Sequence, residues 1–313
     1  MNRLDSIFSP DSVAVIGAST TPGKVGHDIF VNILRGGFTG TLYPVNPEAR
    51  SVLSVKAYRS IKDIQESVDL AILILPPPLA LKAVEEAVET GVKAIVIVSA
   101  GFREVGGEGR RTEDRIVSMC AERGVRVVGP NCLGVINPLP AVRLNASFSA
   151  RMPKSGNISF ISQSGALCTA VLDFAADRDF GFSKFISIGN KADVDELDLL
   201  QFLHEDPQTE VIILYLEELR RGPEFIRAVK EITSGFRRTP VLAIKSGRTA
   251  AGARAAASHT GSLAGSEGVY NAIFRQSGII RAETIDELFD FANAFAYKTE
   301  TALGKTRRKM PTG

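Results

Sequence analysis

The chain has 313 residues, enough for about two domains of ordinary size, and 44% of them are hydrophobic, so both can bury a core. Its 37 Lys and Arg nearly balance its 35 Asp and Glu, which removes a domain-wide field for nucleic acid and leaves anionic ligands to local groups. Three cysteines without CxxC spacing support neither a disulfide framework nor a zinc site and suit a reducing cytoplasm. Met1–Pro10 lacks an apolar signal core, and no apolar run reaches the ~20 residues of a membrane span.

From Ser12 onward, short β-branched runs alternate with amphipathic stretches. Val13–Ile16, Thr41–Val45, Leu70–Leu75, Ala94–Val98 and Val125–Val128 read as strands. Val25–Arg35, Leu79–Thr90 and Gly109–Arg123 have the 3.6-residue spacing of helices, so the first half is a chain of βα units in a parallel, doubly wound sheet. Ligands of such sheets bind beyond the C-terminal strand ends. The first of these loops, Gly17-Ala18-Ser19-Thr20-Thr21-Pro22-Gly23-Lys24, lets a phosphate approach backbone at a helix N-terminus. The spacing is not GxGxxG, and Asn46 occupies the place where a dehydrogenase puts its ribose carboxylate, which disfavours NAD. Later strand ends carry Pro76-Pro77-Pro78, Ser99-Ala100-Gly101 and Gly129-Pro130-Asn131-Cys132. Without a histidine beside it in sequence, Cys132 reads as a small buried thiol.

Asn137–Gly156, with Pro138, Pro140 and Pro153, interrupts the alternation and reads as an inter-domain connection. The pattern restarts with strands at Ile158–Ile161, Lys184–Ile188, Val211–Tyr215, Val241–Ile244 and Gly278–Ile280. Helices are expected at Ala166–Arg178, Glu196–His204, Pro223–Ser234, Gly268–Gln276 and Ile285–Tyr297, forming a second open parallel sheet. This divides the chain into residues 1–137, residues 150–300 and a basic tail over 301–313.

In the second half, Ser162-Gln163-Ser164-Gly165 ends a strand and opens a helix, where hydroxyls and N–H groups converge on an anion or cap the helix. His259 lies in Ser258-His259-Thr260-Gly261-Ser262, among small residues that leave room for a phosphate-sized ligand. Glu217 and Glu218 close another strand. Asp193 and Asp195 belong to an Asx-rich turn and either orient the histidine or cap the next helix. His27, at the start of the first helix, is expected to face solvent, and His204 to end a helix where a cation is favoured.

Taken in order, Gly17-Ala18-Ser19, Pro44-Val45-Asn46-Pro47, Gly129-Pro130-Asn131-Cys132-Leu133-Gly134, Ser162-Gln163-Ser164-Gly165 and Ser258-His259-Thr260-Gly261 resemble the NDP-forming acyl-CoA synthetases. These are relatives of the succinyl-CoA synthetase α subunit, and the pattern is nearest to the ADP-forming acetyl-CoA synthetase α chain. The resemblance runs to about Tyr297 and implies a Rossmann-like coenzyme A domain followed by a flavodoxin-like domain. It assigns coenzyme A to Gly17, Ala18, Ser19, Thr20, Gly23, Asn46, Pro76, Ser99, Gly101 and Asn131. Phosphate falls to Ser162, Gln163, Ser164, Gly165 and Gly261.

By the same resemblance His259 is transiently phosphorylated and Glu217 sets its tautomer, with Glu218 the lesser candidate. Nothing in the sequence resembles an ATP-grasp domain, so the full cycle calls for such a partner subunit or domain, carrying the nucleotide with its Mg2+, in a hetero-oligomer. No metal site is expected in the chain itself. A non-catalytic coenzyme A or nucleotide sensor of the same fold is the alternative.

Overall fold

The computed structural model describes residues 4–178, 180–246 and 267–304, with backbone only over 297–304. A short helix, α1 (Asp5–Phe8), precedes the first run of β1 (Ser12–Ile16), α2 (Val25–Gly36), β2 (Thr41–Val45), the small hairpin β3 (Ser51–Val52) and β4 (Val55–Lys56), and β5 (Leu70–Leu73). It continues through α3 (Pro77–Glu89), β6 (Ala94–Ile97), α4 (Gly107–Glu122) and β7 (Arg126–Val128). Every residue of β1, β5 and β6 is buried, as expected of strands covered on both faces. The strand order is β2-β1-β5-β6-β7, all parallel. The chain therefore reverses its winding between β1 and β5, and a crevice opens there beyond their C-terminal ends.

The second sheet has the order β14-β13-β12-β10-β11-β8-β9. Its parallel part comprises β10 (Lys154–Ser162), β11 (Gly181–Ser187), β12 (Val211–Leu216), β13 (Val241–Lys245) and β14 (Ile280–Arg281). Among the described residues it is covered by α5 (Gly165–Asp177), α6 (Glu196–Glu205), α7 (Gly222–Ser234), α8 (Glu267–Ser277) and α9 (Ile285–Gly304). Here the winding reverses between β10 and β12, so the loops following those strands flank the second crevice.

Two readings need correction. The stretch Asn137–Gly156 is more than a connection: β8 (Gly134–Asn137) and β9 (Leu144–Ser147) form an antiparallel pair that extends the second sheet from β11. The prolines between them end strands without excluding a strand that pairs backwards, a partnership no local pattern announces. Helix α9 runs on to Gly304, past residue 301 where the tail was expected to begin; residues 305–313 lie outside the described residues.

One apolar cluster joins the two sheets, running from Val15, Ile72 and Val96 through Val128, Cys132 and Val135 to Ile161, Ile186 and Ile212. Helix α1 enters the same cluster, with Phe8 stacked on Phe202 of α6 at 5.0 Å between ring centroids. Full burial of a phenylalanine contributes about 2 kcal/mol, so the four-residue helix is held by packing and not by its own turn. Across the second sheet Phe160, Phe182, Phe185 and Phe289 form a separate aromatic core.

Candidate active site

The loop after β1 is shaped by two close approaches. Gly17 has φ +94°, and a Cβ there would lie 2.5 Å from the Ile74 carbonyl oxygen at the end of β5. Gly26, in the first turn of α2, sits so near Gly17 that its own Cβ would meet that residue's oxygen at 2.0 Å. Only glycine lets the helix start pack against the loop in this way. Ser19 Oγ accepts the Thr21 N–H at 3.1 Å, while Thr20 and Gly23 are exposed. Asn46 acts as a staple: its Nδ2 donates to the Ala18 carbonyl at 2.7 Å, and its Oδ1 accepts the N–H groups of Glu48 and Ala49. An acid at this position could not make the first of those bonds, because a carboxylate donates nothing.

Neighbouring strand ends complete this edge. Pro76 precedes the first turn of α3, and Gly101, at φ +102°, lies against the ring of Pro77. The Ser99 carbonyl accepts the Asn131 N–H at 2.9 Å. The expected coenzyme A residues thus fall into the five loops that follow β1, β2, β5, β6 and β7, all at one end of the sheet. Cys132 is buried there with its Sγ 3.3 Å from the Ile97 carbonyl, and burial pushes its thiol up to about 12. It is not a nucleophile at neutral pH.

At the second crevice Ser164 caps α5, its Oγ accepting the Leu167 N–H at 3.4 Å, and the Ser162 hydroxyl is spent inside the turn on the Ser164 backbone. The Gln163 side chain crosses the crevice. Its Oε1 accepts the N–H groups of Glu217 and Glu218 at 2.7 and 2.8 Å, and its Nε2 donates to the Glu218 carbonyl at 2.8 Å. Expected as a phosphate contact, Gln163 instead directs its side-chain amide at the turn that carries Glu217, which is half-buried.

Lysines unforeseen in the sequence complete the site. Lys191 is buried, with Nζ donating to both Glu196 carboxylate oxygens at 3.2 Å and to the Glu218 carbonyl at 2.8 Å. Lys245, at the end of β13, is buried with Nζ 4.8 Å above the Tyr270 ring. Burial pushes its ammonium below the usual lysine range, against the opposing charge of Glu217. Lys245 ends β13, the one hint the sequence holds for it, whereas Lys191 lies in the loop after β11.

The edges of the two sheets meet. Asn190, following β11, donates to Glu104 at 2.6 Å and to Glu113 at 3.1 Å, and accepts from Asn131 at 3.3 Å. A cleft lined by Glu104 and Asn131 on one side and by Gln163, Asn190, Lys191 and Glu217 on the other lies at this junction.

The other acids and histidines have structural partners. Asp193 is paired with Arg126 and accepts the Val127 N–H, and Asp195 caps α6 and holds Arg221. His27 does not face solvent as expected: its side chain is 13% exposed and lies 3.1 Å from Asp28. His204 is 2.8 Å from the Thr239 hydroxyl, and burial lowers its pKa. His259 and Gly261 lie outside the described residues. Among the described residues no group of three or more His, Cys, Asp or Glu side chains is placed to hold a metal ion, and no helix is long and apolar enough to cross a membrane.

This arrangement of two α/β units, with their ligand ends facing one cleft, has close parallels. Residues 11–138 match a CoA binding domain family, and residues 155–295 match the succinyl-CoA ligase like flavodoxin domain. The chain is 45% identical over 290 residues to the 4-hydroxybutyrate–CoA ligase [ADP-forming] of Nitrosopumilus maritimus, covering 93% of this chain and 41% of that protein. Identity is 46% over 292 residues to the acetate–CoA ligase [ADP-forming] II subunit alpha of Pyrococcus furiosus, covering 93% of this chain and 62% of the subunit. The dinucleotide-forming acetyl-coenzyme A synthetase 1 of Ca. Korarchaeum cryptofilum, solved in complex with phosphate and ADP, superposes with a TM-score of 0.89. Its identity is 42%, over 95% of this chain and 63% of that one. The chain belongs to the NDP-forming acyl-CoA synthetase family. It spans about two fifths of the first of these relatives and about three fifths of the other two.

Proposed function

We propose that the chain is the α-type portion of an ADP-forming acyl-CoA ligase, interconverting acyl-CoA, phosphate and nucleoside diphosphate with free acid, coenzyme A and nucleoside triphosphate. The observation that carries this reading is the cleft where the loops of the coenzyme A-type sheet face Gln163 and the Glu217 turn. Coenzyme A would lie along Gly17, Ala18, Ser19, Thr20, Gly23, Asn46, Pro76, Ser99, Gly101 and Asn131. A phosphate oxygen then attacks the thioester carbon, the coenzyme A thiolate leaves, and acyl phosphate results.

His259 next attacks phosphorus and expels the carboxylate, while Glu217 holds the proton on the other ring nitrogen; a nucleoside diphosphate finally takes the phosphoryl group. Ser164 and Gly165 would cradle the moving charge at the start of α5, with Ser162 holding that turn and Gly261 as a further phosphate contact. A partner subunit or domain of the ATP-grasp type would supply the nucleotide with its Mg2+. That the Pyrococcus furiosus relative is named a subunit alpha supports such a partner. The buried free cysteines are in keeping with a cytoplasmic setting. The non-catalytic sensor is not favoured, since these relatives are named as ligases and a synthetase.

The test is incubation of the chain with acetyl phosphate labelled on phosphorus. Acid-labile, base-stable label is expected in the wild type and none in His259→Ala. Acid-stable label, label that survives the substitution, or no label at all would each refute the phosphohistidine assignment.

A further inference from the structure

The turn that presents Glu217 is gripped by the side chains of Gln163 and Lys191. Gln163 takes the N–H groups of Glu217 and Glu218, and the Glu218 carbonyl receives both Gln163 Nε2 and Lys191 Nζ. Lys191 uses its remaining donor capacity on Glu196, which is itself buried and also within 3.4 Å of Gln163 Nε2. The backbone at Lys191 has φ +47°, a left-handed conformation that a lysine adopts only where its surroundings enforce it. Those surroundings come from the other sheet: the Asn190 N–H donates to the Pro130 carbonyl at 2.8 Å, and the Ala192 N–H to the Gly129 carbonyl at 3.0 Å. A buried, fully engaged lysine is thus delivered from the junction with the coenzyme A-type sheet to the backbone under Glu217.

We propose that Lys191 is a positioning residue for phosphoryl transfer, fixing the Glu217–Glu218 turn and with it the place of the Glu217 carboxylate. This rests on the phosphohistidine reading above. Lys191 reaches the turn through the Glu218 carbonyl, the oxygen that Gln163 Nε2 also binds, and lies 3.8 Å from the Glu218 carboxylate. Displacement of an orienting group by about 1 Å costs on the order of a hundredfold in rate, so loss of the contacts Lys191 makes to Glu218 is felt at the chemistry and not in ligand binding.

The experiment measures the rate of labelling by acetyl phosphate in the full chain. Lys191→Met alone strands the buried Glu196 carboxylate, so the informative variant is Lys191→Met with Glu196→Gln, which removes both charges. A fall in the maximal labelling rate of about tenfold or more is expected, with the half-saturating acetyl phosphate concentration changed by less than about twofold. Adding Glu217→Gln to that variant should slow it little beyond Glu217→Gln alone, because residues acting through one another are non-additive. Labelling of the Lys191/Glu196 variant at the wild-type rate would overturn the positioning role, as would an effect that multiplies fully with Glu217→Gln. An unlabelled wild type refutes the phosphohistidine reading and the positioning role together; a labelled wild type with an unaffected variant refutes the positioning role alone.

Discussion

Replacement of Gln163 by leucine preserves side-chain bulk and removes every hydrogen bond the amide makes across the second crevice. The Nε2 contact to Glu196, at 3.4 Å, is the weakest, and the Glu218 carbonyl keeps Lys191 as a partner. The damage therefore falls on the N–H groups of Glu217 and Glu218, which lose acceptors at 2.7 and 2.8 Å. An unsatisfied buried donor costs about 1–3 kcal/mol. Both residues are half-buried, so water replaces part of each bond, and the expected total is about 2–3 kcal/mol. For a domain of this size that corresponds to a fall in melting temperature of roughly 4–10 °C, measured by calorimetry. Amide hydrogen exchange at Glu217 and Glu218 should accelerate in parallel. A melting temperature within about 1 °C of wild type, with exchange at those two amides unchanged, would refute the claim that Gln163 holds the turn.

Gly17→Ala places a Cβ 2.5 Å from the Ile74 carbonyl at a φ of +94°. The expected loss is about 2–4 kcal/mol from backbone strain and overpacking together, read from urea denaturation. Coenzyme A affinity should also fall by calorimetric titration, and an unchanged denaturation midpoint would show that the loop is not confined as described. At Asp69, burial pushes the carboxyl up, but hydrogen bonds from Lys93 at 2.7 Å and from the backbone of Asp11 and Ser12 outweigh it and hold the carboxyl below its ordinary value of 3.8. A depressed carboxylate stabilises the fold above its unfolded pKa and loses that contribution as pH falls through the folded value. The stability gap between wild type and Asp69→Asn should therefore be widest near neutrality and close below about pH 4. A gap independent of pH in acid unfolding would contradict this.

The alternation of strands and helices was readable because it is local: β1, expected over Val13–Ile16, spans Ser12–Ile16, and the helix expected over Glu196–His204 spans Glu196–Glu205. The glycines and serines at strand ends were readable for the same reason, since turn and cap chemistry acts within a few residues. β8 and β9 are not legible in the local pattern because each is completed by the other across the prolines, and a pairing is not a property of either segment alone. Gln163 was singled out by its place after a strand, but the use of its amide depends on β12 lying beside β10. Lys191 gave no signal of its own, because its role exists only once the loop after β11 is tied to Gly129 and Pro130.

The amino-acid sequence by itself determined the α/β class, the order of the elements and the chemical types at the loops, because periodicity, propensity and capping are short-range. Tertiary structure alone decided the order of strands in each sheet, and with it which loops flank a crevice. It also decided that Gln163 and Lys191 grip the Glu217 turn while Asp193 and Asp195 serve the framework. Those outcomes turn on contacts between residues far apart in the chain, where each buried polar group must find its partner among whatever the fold brings near.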